Sequence, residues 1–179
     1  GYASNVSDEI FCNDRSIPGK ALSGWSSDTG KGFGSNYTAY GAYTRMKRGF
    51  SDTGLDPTFK CPQKNDSFTV DDKKVGNGAL TYPVGLITAD EIVAAGSGKY
   101  GTFNQKYYLY KSGSYYQWSL SPSYWNKGAS TFLIHCNGNF SHTYPDSTKG
   151  ALAPVINLSP EYANRMVGTG TITDPYRAA

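Results

Sequence analysis

The segment from Tyr107 to Tyr144, YYLYKSGSYYQWSLSPSYWNKGASTFLIHCNGNFSHTY, interleaves aromatic and small polar residues, carries almost no charge and is broken at short intervals by turn formers. Aromatic and β-branched residues in short runs bounded by Gly, Pro, Asn and Ser fit a pleated, half-buried surface better than a helix. The pattern predicts strands over Lys106–Lys111, Tyr115–Leu120, Ser130–His135 and Asn139–Thr143, with a later one over Val155–Leu158. Gly113 fits a hairpin turn between the first two, and Asn137-Gly138 signals a two-residue hairpin between the third and fourth. Pro122, Pro145, Pro154, Pro160 and Pro175 punctuate the strand ends.

Upstream of this block the pattern changes. Thr88-Ala89-Asp90-Glu91 is a capping box followed by Ile92, Val93, Ala94 and Ala95, and Gly96 stops the helix it opens. Asp90 and Glu91 therefore serve the helix terminus rather than catalysis. A shorter helix is expected over Asn5–Phe11. Residues 16–58 are punctuated by glycine and predict long loops, pinned by Trp25, Phe33, Tyr37, Tyr40 and Tyr43. At 179 residues the chain is expected to form a single α+β domain, with a loop-rich part over 1–77.

Net charge is +3, from 17 basic and 14 acidic residues with the signs interspersed. Beyond Arg45, Lys47 and Arg48 there is no basic cluster, so nucleic acid is not an expected partner. No run approaches the ~18 apolar residues of a membrane span, and a membrane is expected to enter only through an anchor preceding Gly1. Three cysteines offer no paired metal-ligand spacing, so no zinc site is expected. Two arrangements remain open. A Cys12–Cys61 disulfide, the favoured one, would constrain the unfolded chain by about 3–4 kcal/mol; three reduced thiols are the other.

The chemistry of the aromatic block is that of recognition. Tyr and Trp supply stiff amphipathic area, while Ser, Gly and Asn supply adaptable hydrogen bonds. The expected ligand-contacting residues are Tyr115, Tyr116, Tyr124, Trp125, Asn126, Ser130, Phe132, His135, Asn137, Asn139, Ser141, His142, Tyr144 and Asp146. The eight ring-bearing members of this set are expected on one exposed face, with Trp118 buried as scaffold. Catalytic residues and a cofactor are not expected, because Ser141, His142 and Asp146 crowd one hairpin and no GxSxG elbow occurs. Asp71 with Asp72, or Asp52 with Asp56, are acidic turns in which a structural calcium is the alternative to simple solvation.

Three runs carry a family resemblance: Val84–Glu91, Trp118 with Ser121-Pro122, and Gly150–Leu158. With Asn137-Gly138 between the second and third, they resemble, over about 78–176, bacterial and phage surface proteins with a formylglycine-generating-enzyme-like version of the C-type lectin fold. Ala153 departs from the arginine common before the closing proline. The resemblance implies an α+β fold with one or two helices, an antiparallel sheet and long loops. The redox cysteine pair of the enzyme relatives is unmatched, and Trp125-Asn126-Lys127 replaces the acid of the usual calcium-dependent sugar site.

Within that group the chain is similar to variable proteins of diversity-generating retroelements, whose adenine-directed mutagenesis yields Asn, Tyr, Ser, Thr, His, Asp, Phe and Cys. Residues 123–148 are dominated by that set, Cys136 included, and about 115–157 would be the variable region. The segments Asp8–Arg15 and Gly168–Tyr176 also resemble type IV pilin-like surface proteins. The resemblance thus implies a cell-surface or virion-surface adhesion domain, extracellular, that binds a protein or glycan ligand.

Overall fold

The computed structural model describes residues 9–17, 38–47, 55–69, 76–98, 100–107, 110, 112–126, 128–171 and 173–179. In chain order the elements are β1 (Glu9–Cys12), β2 (Thr38–Ala39), α1 (Gly41–Lys47), β3 (Ser67–Thr69), β4 (Val84–Leu86), α2 (Ala89–Ile92), β5 (Tyr116–Trp125), β6 (Ala129–Ile134), β7 (Phe140–Thr143), β8 (Gly150–Ala151), β9 (Pro154–Ile156), α3 (Pro160–Ala163), β10 (Met166–Val167) and β11 (Arg177–Ala178). The main sheet has the order β2-β5-β6-β7, antiparallel, with β8 added to β5 in parallel. Three antiparallel ribbons, β1–β3, β4–β9 and β10–β11, stand beside it. The fold is mixed α+β, with short helices and mostly antiparallel sheets.

Three serines explain how the helices reach the long strand β5. Ser119 and Ser121 alternate on its inner side; Ser119 Oγ donates to the Phe132 carbonyl at 2.9 Å and Ser121 Oγ accepts from Ala89 N at 2.9 Å. Ser123, also buried, accepts Tyr40 N at its carbonyl, 3.0 Å away. Side chains this small let α1 and α2 approach closely and satisfy the orphan amide at the start of α2. The core beneath them joins Ala42, Tyr43 and Met46 of α1, Ala89, Ile92 and Val93, and Phe132, Ile134 and Phe140 of the sheet.

The pairing register shifts twice, first between Trp118 and Pro122, where β5 advances four residues while β6 advances two from Leu133 to Thr131. Pro122 faces Thr131 whereas Tyr124 faces Ser130, so β5 advances two residues while β6 advances one. This bulge is where the chain accommodates Pro122 without ending the strand, against the expectation that it marks a strand end. It also turns Tyr124 onto the inner face. On the opposite face Trp118 is buried against β8, where a Cβ on Gly150 would collide with its indole ring.

Four other expectations are revised. Glu9–Cys12, the described part of the N-terminal segment that includes Phe11, is a strand paired with β3 and not a helix. The residues described between Lys106 and Lys111 form turns, because the Asn104 side chain accepts from Lys106 N at 3.0 Å and draws the backbone out of a ladder. Among the described residues no hairpin forms about Gly113. The β6–β7 connection has three residues, Cys136, Asn137 and Gly138, closed by His135 N donating to Asn139 O at 2.8 Å, with Gly138 at φ 84°. Residues 16–58, expected as loops, contain α1. Tyr43 pins it from within; Trp25, Phe33 and Tyr37 lie outside the described residues.

The capping box at Thr88 forms as expected: Thr88 Oγ1 accepts from Glu91 N at 3.1 Å, and Glu91 Oε2 accepts from Thr88 N at 2.8 Å. The helix continues as a wider turn over Val93–Ser97, which Gly96 ends at φ 97°. The Cys12–Cys61 disulfide is present and Cys136 is free. Closing 49 residues of separation, it should stabilise the fold by about 4 kcal/mol in the loop-entropy treatment. Thiol titration of the unfolded, unreduced protein should count one free cysteine, and a count of three would remove the crosslink. Trp118→Ala should cost about 3–5 kcal/mol in a denaturant melt, and Gly150→Ala should also destabilise because the two groups cannot share the space.

Candidate functional site

The expected contact residues divide into three groups. The first stands at the end of the sheet where β5 begins and β6 turns into β7. The Tyr116 and His135 rings lie 4.6 Å apart there, tilted by 35°. Tyr115 beside them is 63% exposed. Tyr116 N donates to Lys149 O at 2.7 Å, fixing the pair against the strand that leads into β8. The turn carrying His135 is held from both sides: Tyr110 Oη donates to Cys136 O at 3.1 Å, and Asn137 Oδ1 accepts from Asn139 N at 3.0 Å. His135 Nδ1 lies 3.4 Å from Cys136 Sγ and 3.3 Å from Asn137 N. Phe103, bridged to Asn139 and 64% exposed, adjoins this end.

A second group occupies the opposite end, five residue steps along β6 and thus about 17 Å away. Tyr144 packs over Gly128, and Asn126 N donates to Gly128 O at 3.1 Å. Trp125 pairs with Thr38, and Asp146 is exposed.

The third group is scaffold. Phe132 is buried, correcting the expectation that it sits on the exposed face, and Ser130, expected among the ligand contacts, is buried too; Phe132 stacks on Phe140 at 5.1 Å. Tyr124, turned inward by the bulge, meets Tyr43 edge-on at 5.4 Å and His142 at 4.7 Å. His142 is held at both ring nitrogens, by Tyr100 Oη at 2.8 Å from Nε2 and Ser130 Oγ at 3.0 Å from Nδ1. Ser130 Oγ also reaches Thr143 O at 3.2 Å. If that carbonyl takes the hydroxyl proton, Nδ1–H donates to Ser130 and Nε2 accepts from Tyr100. Both ring nitrogens are thus taken by Tyr100 and Ser130, and among the described residues no hydrogen bond joins the His142 ring to Ser141 or Asp146.

Burial raises the Tyr43 hydroxyl well above the ordinary tyrosine range, and the neighbouring Tyr100 and Tyr124 add to it. Tyr100 is raised for the same first cause, partly offset by Ser141. A group whose folded pKa lies above its unfolded value favours the fold below the unfolded pKa and loses that contribution as pH rises. Stability should accordingly fall above pH ~10, where unfolded tyrosine ionises. In an ultraviolet titration at least one tyrosine should ionise only as near-ultraviolet circular dichroism is lost. Complete ionisation with the fold intact would contradict the burial.

Sequence reasoning missed a second feature. A cavity of about 230 Å³ lies between β1, α1, the start of α2 and the chain around Thr58, lined among others by Phe11, Asp14, Arg45, Phe59, Lys60 and Glu91. Its inner wall is a charge network. Arg45 Nε and Nη2 donate to Asp90 Oδ1 and Oδ2 at 2.7 and 2.8 Å, Arg45 Nη1 lies 2.8 Å from Asp14 Oδ2, and Thr58 N donates to Asp90 Oδ1 at 2.9 Å. Burial pushes the guanidinium down, and Asp90 and Asp14 more than offset it, leaving Arg45 raised. These charges satisfy one another, and the cavity's chemistry points to no ligand class. Nothing in the sequence flagged it, since Arg45 there is one member of a basic trio and Asp90 a helix-capping residue. Of the acidic turns named for calcium, Asp71, Asp72 and Asp52 lie outside the described residues, and Asp56 is exposed.

No family model matches the chain, and neither a curated protein nor a solved structure matches it.

Proposed function

We propose that this is a non-catalytic ligand-binding domain, a C-type-lectin-like fold exposed on a cell or virion surface. Its contact surface is the end of the sheet built by Tyr115, Tyr116, His135 and Asn137, and its partner is a protein or a glycan. One observation carries this reading: the exposed Tyr115 and the half-buried, mutually packed Tyr116 and His135 stand together at the sheet end beside a turn held by its own hydrogen bonds and outside the buried core. The disulfide is compatible with an extracellular location. Diversification by a retroelement belongs to the same reading but narrows to the turn over 135–139, Tyr115, Tyr116 and the distal Tyr144 and Asp146, because Ser130, Phe132 and His142 are packed.

A second reading, a pilin-like head whose apolar surface serves assembly, is favoured by the β4–β9 ribbon. Val84 and Ile156 face each other across it and are 50% and 61% exposed, and Leu152 farther along is 70% exposed.

The test is a paired comparison. Tyr115→Ala should shift stability by no more than about 0.5 kcal/mol, as surface changes do, while His135→Ala and Asn137→Ala, which each remove one hydrogen-bond partner within the turn, should cost about 1 kcal/mol. Phe132→Ala should cost about 3–5 kcal/mol. Arrays of surface glycans and of extracellular protein domains should then show binding by the unmodified protein that the first three variants lose. Equal destabilisation in both groups would make the aromatic end part of the core. Concentration-dependent self-association abolished by Ile156→Lys, with array binding absent, would favour assembly. For diversification, the encoding DNA should carry a nearby repeat matching codons 115–157 and differing only at adenines.

A further inference from the structure

The chain contains the dipeptide Asn-Gly twice, at Asn77-Gly78 and Asn137-Gly138. Asn-Gly is the dipeptide in which a backbone amide most readily attacks the preceding side chain, because glycine has no Cβ to obstruct the approach. The structure treats the two copies differently. In the β6–β7 turn the nucleophile is engaged and the side chain is fixed in place: Gly138 N donates to His135 O at 2.8 Å, and Asn137 Oδ1 accepts from Asn139 N at 3.0 Å, so the carboxamide cannot swing to meet the amide while both bonds hold. Gly138 is also buried. Asn77 is exposed, and among the described residues neither its carboxamide nor Gly78 N has a hydrogen-bond partner.

We propose that Asn77-Gly78 is a site of spontaneous covalent modification in the folded protein, and that Asn137-Gly138 is protected by its turn. Gly78 N attacks Asn77 Cγ; the new C–N bond closes a five-membered succinimide while the amide nitrogen leaves as ammonia, taking the proton from Gly78. Water then adds at either ring carbonyl. Opening at one gives aspartate in a normal chain, and opening at the other gives isoaspartate, with the main chain running through the former side chain. No oxidant or reductant takes part.

The location gives the second product a structural consequence. Asn77 N donates to Ser67 O at 2.9 Å, Thr69 N to Gly78 O at 3.1 Å, and Leu80 N to Thr69 O at 3.3 Å, so this segment lies along β3 as an added bridge. Isoaspartate lengthens the backbone by one carbon between Asn77 N and Gly78 O, and the bonds on either side of it cannot both keep register. β3 holds β1, which bears the disulfide cysteine Cys12 and leads into Asp14.

The test uses the intact, oxidised chain in warm, mildly alkaline buffer, with a denatured and reduced sample in parallel, both sampled over time by peptide mapping. In the native protein the Asn77 peptide should show the mass gain of exchanging NH2 for OH on the order of tenfold or more faster than the Asn137 peptide, since two hydrogen bonds must open before Asn137 reacts. In the denatured sample the two rates should converge. Fragmentation should resolve aspartate from isoaspartate at position 77, and hydrogen exchange at Thr69 N should rise in the isoaspartate fraction. Native Asn137 reacting as fast as Asn77, or Asn77 keeping its amide in the native protein while losing it in the denatured one, would overturn the proposal.

Discussion

Arg45 is the side chain on which the joint between α1, α2 and the N-terminal ribbon depends. The ribbons and the main sheet share no continuous ladder, so side chains must join what isolated backbone bonds, such as Leu120 N to Ile87 O at 2.8 Å, do not. Arg45 does so by reaching from α1 to Asp14 beyond β1 and to Asp90 in α2, while Asp90 also takes the amide of Thr58. A buried charge network of this kind contributes little net stability, because desolvation offsets the attraction. Removal of one member is costly, at about 3–5 kcal/mol, since the remaining charges are left buried. The network therefore fixes where elements sit more than how tightly they are held. The Cys12–Cys61 disulfide acts on the same joint from outside, tying β1 to the chain just past Thr58.

Given that joint, the long strand β5 decides what faces inward. Its inner serines leave room for α1 and α2 at small volume, and each polar oxygen brought inside at Ser119 and Ser121 finds a backbone partner. The bulge after Pro122 then converts the strand from a serine-lined face to a tyrosine-lined one. Tyr124 enters the cluster of Tyr43, Tyr100, Phe132 and His142, where small and large residues fill one space. The two extra residues before Pro122 leave the facing unchanged, and the odd one after it moves an aromatic ring from the surface to the core.

That insertion also marks the limit of what the sequence makes legible. The capping box at Thr88, the α+β class, the pairing of Cys12 with Cys61 and the burial of Trp118 follow from local chemistry or from elimination among few residues, and those features are present. The shared exposed face did not follow, because a two-residue period carried across β5 assumes an unbroken register, and the bulge breaks it at the point where Tyr124 and Ser130 meet. Phe132 and His142 look like their exposed neighbours in composition; only the cross-strand pairing of the two, under α1, distinguishes them. Short α1 was hidden for a different reason. Its helix rests on burying Ala42, Tyr43 and Met46 rather than on propensity, and that burial depends on a sheet far along the chain.

The division of the aromatic block into scaffold and display follows from energy rather than from residue type. Each ring in the Phe132 and His142 cluster touches several others, so changing one would cost the cavity it leaves and unpair a hydrogen-bonded histidine. The Tyr116 and His135 rings pack on each other at the sheet end, and the main-chain bond from His135 N to Asn139 O does not depend on them. Variation there alters what is presented without altering what presents it. On the proposed reading, a recognition surface able to vary while its fold does not would be confined to the ends of this sheet. The middle of β6 and β7, however similar in composition, is the part that has to stay constant.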